Sequence, residues 1–333
     1  MTVAMAVAIA MFAGLVVYAV LGGADFGSGF YDLTAGGSAR GAELRTQVDH
    51  SIGPVWEANH VWLIYVLVTW WTAFPEAFAA AMSTLIVPLL LALLGIVLRG
   101  AGFAFRKYSA TLSQARLYGA FFAGSSLIAP FFLAAAAGAV ASGRVPAEGQ
   151  GNLWTSWLNT TSLLVGVIAV TSCAFLAGTF LTADAARAGR QGLASSLRRR
   201  TLLVGTVTGA LVLGALLPIA RDAPVLAGGL TGRAAPLVGT SIVGGIVTLI
   251  LLLRRRPGPA RVSAVVAVAS VVIGWGVAQY PWLLVDEVTI AEAAGAPATL
   301  RALLVVAAIA GLIVLPSLAY LFRLTQTQGW TRH

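Results

Sequence analysis

The sequence predicts an all-α integral membrane protein of about nine transmembrane helices, with its N-terminus outside and its C-terminus in the cytoplasm. Three observations carry this. Of 333 residues, 59% are hydrophobic and 10% charged, with a mean hydropathy of +0.89; soluble domains carry about 25% charged residues. Apolar runs recur at the length of a bilayer crossing, roughly 20 residues. The basic residues fall almost entirely on alternate connections between those runs.

The runs lie at about residues 3–22, 56–73, 78–98, 117–141, 160–182, 201–219, 237–253, 262–280 and 301–322 of a single polytopic domain, 1–333. The first lacks a basic start and a small-residue cleavage site, so it reads as a retained helix rather than a secretory signal. The connection at 23–55 holds Ala39–His50, which suits a short amphipathic helix on the cytoplasmic surface. Pro54 fits the first turn of the second helix, and Pro88 is placed to kink the third. The 281–300 connection carries Asp286, Glu287 and Glu292 and no base, as expected of an outer loop. Strong internal repeats and the paired broken helices of many transporters are not evident.

Charge sets the orientation. Inner connections and the tail hold Arg40, Arg45, Arg99, Arg106, Lys107, Arg116, Arg187, Arg190, Arg198–Arg200, Arg254–Arg256, Arg261, Arg323 and Arg332. The other side holds only Arg144, Arg221, Arg233 and Arg301. The net charge of +9 is therefore a topology signal and gives no support to nucleic-acid binding. The triplets Arg198–Arg200 and Arg254–Arg256 read as topology signals and contacts to anionic membrane lipids. A single cysteine, Cys173, excludes a disulfide framework and any Cys-based metal site, and reads as a small inert hydrophobe. Three histidines, His50, His60 and His333, are too few for a chain ligating several haems alone.

Polar residues at membrane depth mark sites of function, and two segments concentrate them. Leu21–Phe30 is glycine-rich and puts Asp25 at the inner end of the first helix, either as part of a helix cap or as a functional carboxyl. The second segment, Gly53–Leu63, opens the next helix. There Glu57 and His60 are three apart and share a face, an acid and an imidazole able to relay protons; Glu57 is equally explained as a dipole partner. Trp56 and Trp62 serve as interfacial anchors or interface residues, with Asn59 between them. Arg99 either clamps an anion or is an ordinary inner-side charge. No metal site is expected.

These blocks resemble subunit II of the cytochrome bd-type quinol oxidases. The resemblance rests on Gly23-Ala24-Asp25-Phe26-Gly27-Ser28-Gly29, on Ser51 through Leu63 with Ala73-Phe74-Pro75, Pro88-Leu89-Leu90 and Leu98-Arg99, and on Gln279 through Leu284 with Val288-Thr289-Ile290 and Thr299-Leu300. Residues 117–275 match in hydropathy only. Many members have Asp-Gly-Asn-Glu where Glu57-Ala58-Asn59-His60 stands, and Val285 replaces a usual proline, so the chain reads as a divergent branch.

The resemblance implies an oxidoreductase complex in a prokaryotic cytoplasmic membrane that reduces O2 with quinol. A separate subunit I would carry haem b and haem d, or b-type haem only, and small accessory single-helix subunits would join it. This chain would ligate none. It would shape proton and oxygen access through Asp25, Glu57 and His60, with Trp56, Asn59 and Trp62 at the interface or oxygen route and Arg99 on a haem propionate or other anion. A secondary transporter and a purely structural membrane subunit are the rival readings.

Overall fold

Backbone hydrogen bonds do not stop where lipid does, and the helices outrun the apolar segments that nucleate them. The computed structural model describes residues 2–37, 40–52 and 56–326; Gly53, Pro54, Val55, Arg332 and His333 lie outside them. The helices are α1 Val3–Leu33, α2 Ala42–Ile52, α3 Trp56–Ala73, α4 Pro75–Thr84, α5 Ile86–Lys107, α6 Leu112–Ala141, α7 Thr160–Arg187, α8 Gln191–Asp222, α9 Pro224–Thr231, α10 Ala235–Leu253, α11 Pro257–Gln279 and α12 Pro297–Gln326. Eight are long and apolar enough to cross a membrane. The α3–α4 pair, bent by 118°, makes a ninth crossing when taken as one span.

Three boundaries differ from the hydropathy reading. α1 does not end near residue 22: its 31 residues carry the whole glycine-rich segment, so Asp25 is no helix cap. At 1.5 Å per residue α1 is about 46 Å long, against a hydrocarbon core of about 30 Å. α8 likewise runs 32 residues and takes Arg198–Arg200 into the helix. The run at 78–98 is not one helix. Pro75 takes the first helical position of α4, and Phe74 before it leaves the helical region with φ −137° and ψ 60°. Leu85 then separates α4 from α5. Pro88 explains that second break, because its ring opposes the carbonyl of Thr84, the last residue of α4. The 281–300 connection adds a small hairpin, β1 Trp282–Leu284 antiparallel to β2 Val288–Thr289. Of the surface helix expected at 39–50, Ala39 lies outside the described residues, and α2 forms from Ala42 to Ile52.

α1 is the central helix and packs against α2, α3, α6, α7, α11 and α12. Contacts between connections define two ends of the bundle. At the basic end Arg200 donates to the Thr34 carbonyl (3.1 Å), Ser51 to Asp184 (3.0 Å) and Arg198 to the Leu252 carbonyl (3.4 Å). At the opposite end Arg144 pairs with Asp222 (2.5 Å), the Gly295 amide donates to the Ala73 carbonyl (2.8 Å), and the Gly151 amide donates to Thr84 (3.3 Å). The charge-bearing connections thus alternate as the sequence pattern requires.

Candidate functional site

Small residues bring the polar groups of α1 into the bundle. A Cβ on Gly27 would lie 1.8 Å from the Cys173 carbonyl oxygen on α7, and one on Gly29 would lie 2.3 Å from Ser126 Cβ on α6. The glycines are therefore there for helix contact. Cys173 packs beside them as a small apolar group.

This close approach sets Asp25 against Arg99 of α5. Both side chains are about 2% exposed or less. The guanidinium donates through Nη2 to Asp25 Oδ1 at 2.5 Å and through Nε to Ser126 Oγ at 3.1 Å. It also lies 5.1 Å from the ring centres of Phe26 and Phe122, a distance at which an aromatic face attracts a cation. Asn59 is buried; it donates to the Leu21 carbonyl (3.4 Å) and faces the Asp25 carboxylate. His60 sits among the rings of Phe26 (5.9 Å), Tyr18 (6.3 Å) and Trp56 (6.3 Å). Trp62 packs on the same cluster.

Five buried polar atoms of this cluster have no hydrogen-bond partner among the described residues: Tyr18 Oη, Asp25 Oδ2, His60 Nδ1, Trp62 Nε1 and Arg99 Nη1. Each such atom costs roughly 1–3 kcal/mol. Their concentration in one place marks a polar site in an otherwise apolar bundle. Asp25 keeps one carboxylate oxygen on Arg99 and one without a hydrogen-bond partner among the described residues. The residues do not fit a haem. Three aromatic rings enclose the one imidazole at this depth, and a porphyrin face would have to replace them.

The sequence expected Asp25, Glu57 and His60 to act together. The structure links Asp25 and His60 through Arg99 and Phe26, but leaves Glu57 exposed, with no hydrogen bond or ion pair among the described residues. At 100° per residue, positions three apart diverge by 60°, enough for one side chain to point inward and the other outward. Glu57 instead heads a row with Val61, Ile64, Val68 and Trp71, all exposed and spaced four, three, four and three. That is the spacing of a helix–helix seam.

Sequence reading missed Tyr18, Ser126 and a second ionic site one layer nearer the basic end. There Arg106 of α5 pairs with both Asp32 of α1 and Asp49 of α2, and Arg45 Nε donates to Asp32 at 2.9 Å. A signal was present. Asp25 and Asp32 are seven apart on one helix, and Arg99 and Arg106 are seven apart on another, so the two ion pairs repeat at one register.

A family model described as cytochrome bd terminal oxidase subunit II matches residues 3–325. The chain is similar to the cytochrome bd ubiquinol oxidase subunit 2 of Bacillus subtilis, 31% identical over 157 residues, which is 46% of this chain and 45% of that one. A second Bacillus subtilis protein, named as a candidate cytochrome bd menaquinol oxidase subunit II, is 22% identical over 96% of this chain and 94% of its own length. The cytochrome bd-I ubiquinol oxidase subunit 2 of Escherichia coli (strain K12) is 36% identical over 93 residues, 28% of this chain and 24% of that one. Among solved structures, a chain of the bd oxidase from Geobacillus thermodenitrificans shares the fold with a TM-score of 0.81 and 24% identity, covering 98% of this chain and 99% of that one.

Proposed function

We propose a function from one premise: the chain belongs to the cytochrome bd terminal oxidase subunit II family. The match from residue 3 to residue 325 is the observation that carries the reading. The chain is subunit II of a quinol-driven O2 reductase in a prokaryotic cytoplasmic membrane. Its basic end faces the cytoplasm, as the charge count requires. Haem b and haem d, or b-type haem only, reside in subunit I, where quinol is oxidised and O2 reduced.

The seam of Glu57, Val61, Ile64, Val68 and Trp71 is the face offered to subunit I. An exposed carboxyl at the end of a membrane-spanning seam is costly in lipid and is relieved by a donor on a neighbouring helix. Trp56, Asn59 and Trp62 lie behind that seam and shape the interface and oxygen access. Arg99 holds Asp25 Oδ1, which leaves Oδ2 to exchange a proton. Arg99 is about 1% exposed and takes Asp25 as its anion, so it acts from within this chain. Reduction of O2 to water consumes protons. Glu57, assisted by Asp25 and His60, passes cytoplasmic protons toward the oxygen site of subunit I.

Glu57→Gln keeps the shape and most hydrogen bonds but carries no exchangeable acid proton. It should lower quinol-driven O2 consumption on the order of tenfold, with assembly and the haem spectrum intact. A wild-type rate across roughly pH 5 to 8 would leave Glu57 a helix-end residue and favour the structural-subunit reading. Co-expression with its neighbour-encoded partner should yield a one-to-one heterodimer containing haem; recovery of this chain alone with two or more haems would overturn the reading. Reporters fused at Arg199 or Arg255 should read as cytoplasmic, and those at Glu148 or Glu292 as external.

A further inference from the structure

α10 and α11 are joined by a three-residue connection that is all arginine, Arg254-Arg255-Arg256. The helix end is closed by two backbone hydrogen bonds, the Arg256 amide donating to the Leu251 carbonyl (2.8 Å) and the Arg255 amide to the Leu252 carbonyl (3.0 Å). This pairing puts the Arg255 position in the left-handed region, φ 57°. Glycine usually fills that position because a Cβ strains it. An arginine there keeps a third cation in the turn at the expense of backbone strain. All three arginines are exposed, and no described carboxylate pairs with any of them. Asp184, on the adjoining α7, is taken by Arg187 and Arg261.

An open apolar groove of about 950 Å³ lies between the same two helices. Gly239, Thr240, Val243, Val247, Val262 and Val266 are among its lining residues. It opens because the lining is small: a Cβ on Gly239 would meet nothing within 4 Å. From Pro236 to Leu251 it runs roughly 22 Å along α10, at 1.5 Å per residue. That exceeds the depth of one hydrocarbon leaflet, roughly 15 Å. Leu251 and Pro259 line the end beside the arginines. An open apolar groove of acyl-chain length, with three exposed arginines in the turn that joins its two helices, complements a molecule with a hydrocarbon tail and an anionic head.

We propose that this groove and turn form a binding site for one anionic phospholipid, its phosphate held by Arg254, Arg255 and Arg256 and one acyl chain lying between α10 and α11. Guanidinium forks match phosphate oxygens in geometry as well as charge. The site stands apart from the Asp25–Arg99 cluster and does not depend on the oxidase reading.

The test is native mass spectrometry of the full chain, with whatever subunit co-purifies, released from vesicles of phosphatidylcholine containing a minor fraction of phosphatidylglycerol. Wild type should retain one phosphatidylglycerol more than the triple variant Arg254→Gln/Arg255→Gly/Arg256→Gln. Arg255→Gly alone relaxes the turn, so it should fold at least as well, yet hold phosphatidylglycerol roughly fivefold more weakly. Val243→Trp fills the groove, keeps the arginines and should also lose the lipid. Equal phosphatidylglycerol counts in wild type and the triple variant would overturn the site. So would equal retention of phosphatidylcholine, which would mean an unselective lipid contact. Loss of a co-purifying subunit from the triple variant would make the turn a protein interface and would likewise overturn it.

Discussion

Asp25–Arg99 and Asp32–Arg106 are one contact made twice, between the same two helices and seven residues apart on each. Seven residues are about 10.5 Å along a helix axis, and that depth changes what the pair becomes. At the basic end, Asp32 also takes Arg45, and Arg106 also takes Asp49, so the second pair ties α2 to α1 and α5. Arg45 is 30% exposed there, and water reaches the network. Two turns deeper, Asp25 has one cationic partner, and both members keep a polar atom unpartnered among the described residues. The same chemistry thus makes a staple where charge is cheap and a poised site where charge is costly.

The comparison breaks most visibly through its cations. Arg99→Met strands Asp25 as a buried carboxylate and should cost about 3–5 kcal/mol, read as a large drop in the unfolding midpoint of the detergent-purified protein. Arg106→Met leaves Asp32 with Arg45 and nearby solvent, and should cost only about 1–2 kcal/mol. Equal losses would mean that depth does not distinguish the pairs. Removing both deep charges, as Asp25→Leu/Arg99→Leu, should recover most of the stability lost in Arg99→Met, a coupling of roughly 2 kcal/mol or more in a double-mutant cycle. O2 consumption should stay low in that double variant if the pair serves proton transfer. Restored turnover would make it a packing element. The smallest effect is ionic: raising salt to about 1 M should weaken the Arg45–Asp32–Arg106–Asp49 network by tenths of a kcal/mol and leave Asp25–Arg99 unchanged.

Glu57 and His60 show how much of the site was legible. Both were recognisable as unusual at membrane depth, and so was Asp25, because a polar residue among apolar ones is visible in any window of sequence. Their grouping was only half legible. Helical spacing allows Glu57 and His60 a common side, yet rings from α1 enclose His60 while Glu57 remains outside. Arg99 was seen as a clamp for an anion; that the anion within this chain is Asp25, 74 positions away, lies beyond any local window.

What the amino-acid order settled is whatever adds up residue by residue. The membrane crossings follow from summed transfer free energies over about 20 positions, and the alternation of connections follows from counted arginines; neither requires knowledge of neighbours. Helix ends beyond the lipid, the 118° bend between α3 and α4, and the split fate of two like pairs are of another kind. They depend on how closely one helix approaches the next. Gly27 and Gly29 set that approach through atoms on α6 and α7 more than 90 positions away in the chain. Burial is a property of such packed surfaces, so the isolation of Asp25 and the sharing of Asp32 arise only when the bundle closes around them.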